Sequence, residues 1–273
     1  MPTDFLGLSG VHVLVTGASG GIGLATAREF LEQGAKVTMH YNSNPDALGD
    51  LTAAYPSTTF AVKANISSEA EVDAMFDAAV AKLGPVQVLV VNHGIGSKRL
   101  ALLKDMSLEQ WSHTLDVNLT GSFLAIRAYM QQLERHNVQD NVSLILMGST
   151  SGKFGCWYHA DYAVTKAAMM HGLTLSLKNE IVQLCPRGRV NAVAPGWTRT
   201  PMIEAALKGK VLVERSLATS PLNKISEPED IARTVLFLAS ERASGNITGH
   251  VVDVNAGMEG RVINPVSIGA YQL

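Results

Sequence analysis

The chain has 273 residues, 47% of them apolar and 17% charged, with a formal net charge of −2; it is long enough to bury a full core and has neither the basic cluster of a nucleic-acid binder nor an acidic tail. No apolar run reaches the length of a bilayer crossing, and the opening MPTDFLGLSG lacks the basic end and apolar stretch of a secretory signal, so a cytoplasmic protein with no membrane and no nucleic-acid partner is expected. Cys156 and Cys185 have no metal-ligand spacing and make no disulfide framework, so two reduced thiols and no metal site are expected.

From the N-terminus, VHVLVTG (11–17) reads as a buried strand entering a glycine turn. GIGLATAREFLEQG follows as a helix, with Leu24, Ala27 and Leu31 at helical spacing and Gly34 as its stop. KVTMHY (36–41) and TTFAVKANI (58–66) are the second and third strands. The next helix opens on a capping-box pattern, Ser68 to Glu71, and ends at Gly84. VQVLVVNHG (86–94) is the fourth strand; Ser107 and Gln110 offer a second capping box before a long helix reaching about His136. NVSLILMGS (141–149) is the fifth strand and a helix spans 160–183. GRVNAVAPG (188–196) and GHVVDVNAG (249–257) are the sixth and seventh, separated by a mobile-looking segment and the helix PEDIARTVLFLAS.

Apolar strands each followed by a helix imply a parallel sheet covered on both faces, and right-handed crossovers make it a doubly wound α/β fold. No linker or repeat interrupts it, so a single domain over 1–258 with a C-terminal extension at 259–273 is expected. Ligands of such sheets bind outside the carboxyl ends of the strands, where Gly17, Asn92, Ser149 and Pro195 gather.

The turn TGASGGIG (16–23) lets backbone approach a pyrophosphate at a helix N-terminus, although three residues separate Gly17 from Gly21, unlike GxGxxG. Tyr162 and Lys166 stand one helical turn apart, and a cation beside a phenol lowers its pKa toward the range of a general acid. At the end of the second strand, where an acid would bind the ribose of NAD, stand Tyr41, Asn42 and Ser43, with no arginine or lysine expected beside the site. That end favours NADP(H), which a carboxylate would repel.

Gly17-x-x-x-Gly21-x-Gly23 together with Tyr162-x-x-x-Lys166 resembles the short-chain dehydrogenase/reductase family, and the likeness runs from the first strand to NAG at 255–257. The resemblance implies a Rossmann-type fold with a seven-stranded parallel sheet, and hydride transfer between a nicotinamide and a carbonyl or alcohol. Ser149, thirteen residues before Tyr162, would hold the substrate oxygen; Tyr162 would exchange the proton; Lys166 would tune Tyr162 and bind the nicotinamide ribose; Asn118 would anchor a water. The cofactor would lie along Gly17, Ser19, Gly21, Ile22 and Gly23, then Tyr41, Asn42 and Ser43, with Asn65 and Ile66 at the adenine. Asn92, Gly94, Asn118, Tyr162 and Lys166 would meet its nicotinamide half, as would Pro195, Gly196, Thr198 and Thr200 of PGWTRT. The family's NNAG departs here as VNHG, with His93 for alanine; that histidine is either a substrate contact or a structural donor. The YNS at 41–43 also matches NADP-using members of the family.

Phe154, Trp157, Trp197 and Met202 suggest an apolar pocket for a ring ketone or other moderately apolar carbonyl compound, with His159 beside it. A polyol or sugar dehydrogenase, and a non-redox protein on the same fold, are the alternatives. Lys98 and Arg99 read as a solvated loop, and Asp161 as a first-turn acid facing away from Tyr162. Residues 197–217 follow the PG turn and are expected to form a substrate lid; the resemblance implies a homodimer or homotetramer.

Overall fold

The structure is a computed structural model that describes residues 4–97 and 99–259, apart from the side chains of residues 205, 206, 210–212 and 215. Lys98 and residues 260–273 of the expected extension lie outside the described residues. The strands are β1 (His12–Val15), β2 (Lys36–Tyr41), β3 (Thr59–Lys63), β4 (Val88–Val91), β5 (Ser143–Met147), β6 (Arg189–Pro195) and β7 (Val251–Val254). They form one sheet in the order β3-β2-β1-β4-β5-β6-β7, parallel throughout. All seven fall inside the stretches expected from the sequence.

Between them run α1 (Gly21–Glu32), α2 (Gly49–Ala54), α3 (Glu69–Leu83), α4 (Leu108–Leu115), α5 (Gly121–Arg135) and α6 (Thr150–Phe154). There follow α7 (Ala160–Ala167), α8 (Thr174–Leu184), α9 (Glu204–Leu207), α10 (Lys210–Ala218), α11 (Pro228–Ala239) and α12 (Glu241–Ser244). Strand residues alternate between two cores because the side-chain period is two. Val13 and Val15, Val88 and Val90 pack on the α1–α11 side. Leu14, Leu89, Val91, Leu144 and Leu146 pack on the α3–α5–α8 side. Each fully buried Leu or Val contributes roughly 1.5–3 kcal/mol relative to exposure.

Two local expectations fail, both because a side chain finds a better partner. Ser68 caps α3 by position but makes no side-chain bond, while the Glu71 carboxylate accepts from the Asn65 N–H at 2.7 Å. Ser107 accepts from the Gln110 N–H at 3.1 Å, yet the Gln110 amide turns away to the Arg99 carbonyl and Asp161. The helices expected over 108–136 and 160–183 are also not continuous α-helix. Each carries a wider π turn, Asp116–Thr120 and Ala168–Leu173. Such turns often mark functional positions.

Candidate active site

The strand order reverses at β1 and β4, and the crevice at their carboxyl ends is where a doubly wound sheet takes its ligand. The glycine turn leaves β1 there. Gly17 has φ 63°, and a Cβ on it would lie 2.9 Å from the His93 Cα, so only glycine fits. Asn92 holds the turn, its amide donating to the Thr16 and Gly17 carbonyls at 3.0 and 3.1 Å. Ser19, Gly21 and Ile22 then lead into α1, whose N-cap Gly20 has no side-chain cap and whose first turn has no acid. The first amides of α1 therefore lack a side-chain partner and suit an anion such as a pyrophosphate. A Cβ on Gly23 would come within 2.3 Å of the Gly17 carbonyl oxygen and 2.6 Å of the Asn92 amide. Gly23→Ala is accordingly expected to raise the cofactor Kd by roughly 10- to 100-fold, the equivalent of the 1–3 kcal/mol cost of overpacking. A titration of the purified variant checks this; parent affinity would mean that the turn accepts the methyl.

Ser149 follows the end of β5 and caps α6, its hydroxyl accepting from the Ser151 N–H at 3.1 Å. Tyr162, on α7, faces it, and the Ser149 hydroxyl is the side-chain partner that favours the ionised phenol. Lys166 is buried one turn on, with Nζ 2.7 Å from the Met147 carbonyl and 5.6 Å from the Tyr162 ring centroid. Asn118 sits in the first π turn, its Oδ1 accepting from the Ile95 N–H at 2.8 Å and its Nδ2 donating to the Ile95 carbonyl at 3.0 Å. Asn118 and Lys166 converge on Gly94: a Cβ there would meet Asn118 Oδ1 at 3.4 Å and Lys166 Nζ at 3.5 Å. The four residues read from the sequence are thus linked in series, Asn118 and Lys166 meeting at Gly94, Lys166 standing beside the Tyr162 ring, and Tyr162 facing Ser149.

The expected tuning of Tyr162 needs correction. The ring keeps some exposure, but its hydroxyl lies deep and burial pushes the phenol above its ordinary pKa, opposed by the Ser149 hydrogen bond. Lys166 does not bring it down in this state. Its ammonium donates to the Met147 carbonyl, and burial pushes its own pKa down to about 8.

Asp161 is the first-turn acid expected, and it has a further role. It is fully buried, accepting from the hydroxyls of Ser97 (2.6 Å) and Thr114 (2.9 Å) and from the Gln110 amide (3.3 Å), and these bonds hold its carboxyl below the usual range against the cost of burial. It ties the segment after β4 and helix α4 to the start of the tyrosine helix. Its partners stand 47 to 64 residues away, and no local pattern announces them. His93 is a buried structural group, 2.8 Å from the Thr16 hydroxyl and 3.1 Å from the Val117 carbonyl. Trp157 is 81% exposed, Met202 59% and Phe154 44%, so these side chains stand open to solvent and do not line a closed pocket; Trp197 and His159 are half-buried.

Farther along the crevice, Tyr41, Asn42 and Ser43 stand at the end of β2, Tyr41 half-buried and the others exposed. Asn65 is exposed, with Oδ1 accepting from the Ser67 N–H at 3.1 Å, whereas Ile66 puts its side chain in the core, leaving only its backbone for a ligand. The sheet adds what the sequence hid. Lys63 pairs with Tyr41 across β2 and β3, so a lysine does stand at this end. On the opposite side Pro195 ends β6, Gly196 packs on Asn255, and the Thr198 hydroxyl donates to the Gly196 carbonyl at 3.1 Å. Thr200 and Pro201 lie over Gly21, close enough that a Cβ there would meet the Thr200 methyl at 2.8 Å. The segment beyond is helical, as its composition suggested, but is split into a short turn at Pro201–Ile203, α9 and α10.

A family profile described as Enoyl-(Acyl carrier protein) reductase matches residues 17–259. The chain is 36% identical over 249 residues to a 3-oxoacyl-(acyl-carrier-protein) reductase of Synechocystis, covering 90% of this chain and 95% of that one. It is 38% identical over 249 residues to the corresponding reductase of Staphylococcus aureus, covering 90% and 96%. Among solved structures, a short-chain type dehydrogenase/reductase from Mycobacterium marinum superposes with TM-score 0.83 at 30% identity, covering 93% of this chain and 97% of that one. A glucose/ribitol dehydrogenase-type member from Brucella melitensis does so with TM-score 0.83 at 27% identity, covering 93% and 98%. With that breadth of match, and with the serine, tyrosine, lysine and asparagine gathered at the carboxyl ends of a seven-stranded parallel sheet, the chain belongs to the short-chain dehydrogenase/reductase family of oxidoreductases, which act between CH–OH and C=O with a nicotinamide cofactor.

Proposed function

We propose that the protein is an NADP(H)-dependent reductase of ketones to secondary alcohols, acting on a ring ketone or another moderately apolar carbonyl compound. The run Asn118–Lys166–Tyr162–Ser149, in which Asn118 and Lys166 meet at Gly94 and Lys166 stands beside the Tyr162 ring, supports this reading. When bound, the reduced nicotinamide supplies the hydride. Ser149 and Tyr162 hold the carbonyl oxygen by their hydroxyls, and Tyr162 gives its proton to that oxygen as the carbon accepts the hydride, so that ketone, hydride and proton become the alcohol. A phenol raised by burial is fully protonated at neutral pH, the form a donor needs, which supports reduction as the working direction. Lys166, near Gly94, would bind the nicotinamide ribose, and Asn118, in the first π turn, would anchor a water beside it.

The contacts expected along Gly17, Ser19, Gly21, Ile22, Gly23, Asn92, Gly94 and the Pro195–Thr200 stretch belong to the same reading, supported by the uncapped start of α1. Residues 197–217 act as the cover of this site, supported by the seat of Thr200 and Pro201 on the glycine turn. The exposed apolar side chains of Phe154, Trp157 and Met202 favour an apolar carbonyl over a polyol or sugar. A 3-oxoacyl thioester is the second reading, favoured by the activity named for the 36–38% identical relatives. A cytoplasmic protein assembled as a homodimer or homotetramer completes the proposal. Its support is that no helix among the described residues is long and apolar enough to cross a membrane, and that Phe123, Ile126, Met130, Leu173 and Leu177 line an apolar cleft on α5 and α8. Oxidation of NADPH followed by absorbance against ring ketones, 3-oxoacyl thioesters and oxidised sugars tests the substrate. Turnover confined to the sugars would overturn the proposal.

NADP(H) preference rests on the absence of an acid at Tyr41-Asn42-Ser43 and on Lys63 beside Tyr41. A carboxylate at position 41 would repel a 2′-phosphate by about 1–3 kcal/mol at this partly exposed position. Tyr41→Asp is therefore expected to shift the NADP/NAD ratio of kcat/KM toward NAD by roughly 10- to 100-fold, chiefly through the cofactor KM. Kinetics with both cofactors on parent and variant check this. A parent that already prefers NADH, or an unchanged ratio, would count against it.

A further inference from the structure

Two buried histidines stand behind the glycine turn, and neither side chain lies in the crevice itself. The Gly17 N–H donates to His40 Nδ1 at 3.0 Å, which fixes the tautomer: Nδ1 is the acceptor, and the proton sits on Nε2, 3.0 Å from the Ala64 carbonyl. The His40 carbonyl also accepts from the Ala18 N–H at 2.8 Å, so one residue of β2 receives two successive amides of the turn. His93 performs the matching task from β4. Its Nε2 faces the Val117 carbonyl at 3.1 Å and so carries the proton, leaving Nδ1 to accept the Thr16 hydroxyl hydrogen at 2.8 Å. Val117 belongs to the π turn that holds Asn118. The ring thus spans from the glycine turn to the asparagine turn. A Cβ on Gly121 would meet its Nε2 at 3.3 Å, which shows how closely that turn packs on the imidazole. The small alanine of the family's pattern at this position could make neither side-chain bond.

We propose that His40 and His93 are positioning residues that set the shape of the cofactor-binding turn from behind, His40 through the Gly17 N–H and His93 through the Thr16 hydroxyl, and that His93 also couples this turn to the Asn118 turn through the Val117 carbonyl. The proposal rests on the glycine turn's being the cofactor site. Both imidazoles must be neutral for these bonds, since a second ring proton would face a donor. Burial lowers both pKa values, that of His93 to about 3, so the neutral forms prevail at ordinary assay pH.

The test pairs a variant that removes an acceptor with one that restores it. Asparagine places Oδ1 about where histidine has Nδ1, but has no group at the ε position. His40→Leu is expected to raise the NADPH Kd about tenfold, the usual effect of leaving a buried N–H without its acceptor. It should also speed amide exchange over residues 16–23 in the cofactor-free protein. His40→Asn should keep Kd within about threefold of the parent, because the Gly17 N–H regains an acceptor. His93→Ala should weaken cofactor binding and also lower kcat at saturating cofactor. His93→Asn should recover the cofactor affinity but not kcat, since it reaches Thr16 and not Val117. Should His40→Leu fail to fold, the asparagine variants still decide. A His40→Asn protein with cofactor binding more than about tenfold weaker overturns the His40 assignment. Folded His93→Ala and His93→Asn proteins with the same kcat as the parent overturn the coupling. A parent that binds no nicotinamide cofactor in the same titration would instead overturn the reading of the site.

Discussion

Tyr162→Phe is expected to lower kcat by roughly 10²- to 10⁴-fold, the range for loss of a general acid, with the cofactor Kd and the thermal midpoint close to the parent's. The substitution removes one hydroxyl from a ring whose position is set by its helix. Its neighbours are already held: the Thr165 hydroxyl donates to the Tyr162 carbonyl at 2.7 Å, and the buried Asp161 pins the first turn of α7 to Ser97 and Thr114. Neither bond involves the phenol. Ser149 loses its Tyr162 partner but keeps the Ser151 N–H, so the oxygen-binding side of the site survives. What disappears is the phenol that faces Ser149. Steady-state kinetics and cofactor titration of the purified variant separate the two quantities. Turnover near that of the parent would remove Tyr162 from the role of proton donor.

How much of this was legible in the sequence depended on the range of the physics involved. The strands were readable because each is a short run rich in apolar and β-branched residues, the central ones β1, β4, β5 and β6 buried throughout, and the chemistry was readable because Gly17, Gly21, Gly23, Tyr162 and Lys166 carry local spacings with a mechanical meaning. The sequence was silent wherever one side chain answers another far along the chain. Asp161 looks like an ordinary first-turn acid until α4 brings Gln110 and Thr114 against it. Lys63 is invisible as a neighbour of Tyr41 until β3 pairs with β2. The capping box at Ser68 failed for a related reason: Glu71 found the Asn65 N–H, a donor exposed by the way β3 ends. The supposed tuning of Tyr162 by Lys166 failed differently. Spacing placed the ammonium one helical turn away, but spacing carries no information on burial, and burial raises the phenol and lowers the lysine.

The same burial logic, applied to the histidines, makes the fold acid-sensitive in a defined window. His12 lies between β1 and β2 near their N-terminal ends, 1% exposed, with Nδ1 2.7 Å from the Gly84 carbonyl and Nε2 2.8 Å from the Thr38 hydroxyl. The carbonyl can only accept, so Nδ1 donates and Nε2 receives the threonine hydrogen, and the ring must be neutral. Burial, aided by the charge of Lys36, lowers its pKa to about 4 from an ordinary 6.5. The unfolded chain therefore binds a proton at a higher pH than the folded one does. The stability from this residue is complete above about pH 6.5 and is lost as pH falls toward 4, a loss on the order of 3 kcal/mol. His93, lowered to about 3, and His40 act with the same sign. The carboxylates held low, Asp161 and Asp230, start from 3.8 and lose their contribution below this window. Urea unfolding of the parent at neutral pH and near pH 4.5 should thus show a fall of several kcal/mol, still counting only these three rings. His12→Gln supplies an amide donor for Gly84 and an oxygen for Thr38 but cannot titrate. It should recover on the order of 2 kcal/mol of that fall, whatever it costs at neutral pH. An acid limb as steep in His12→Gln as in the parent would show that His12 is not among the groups that take up the protons.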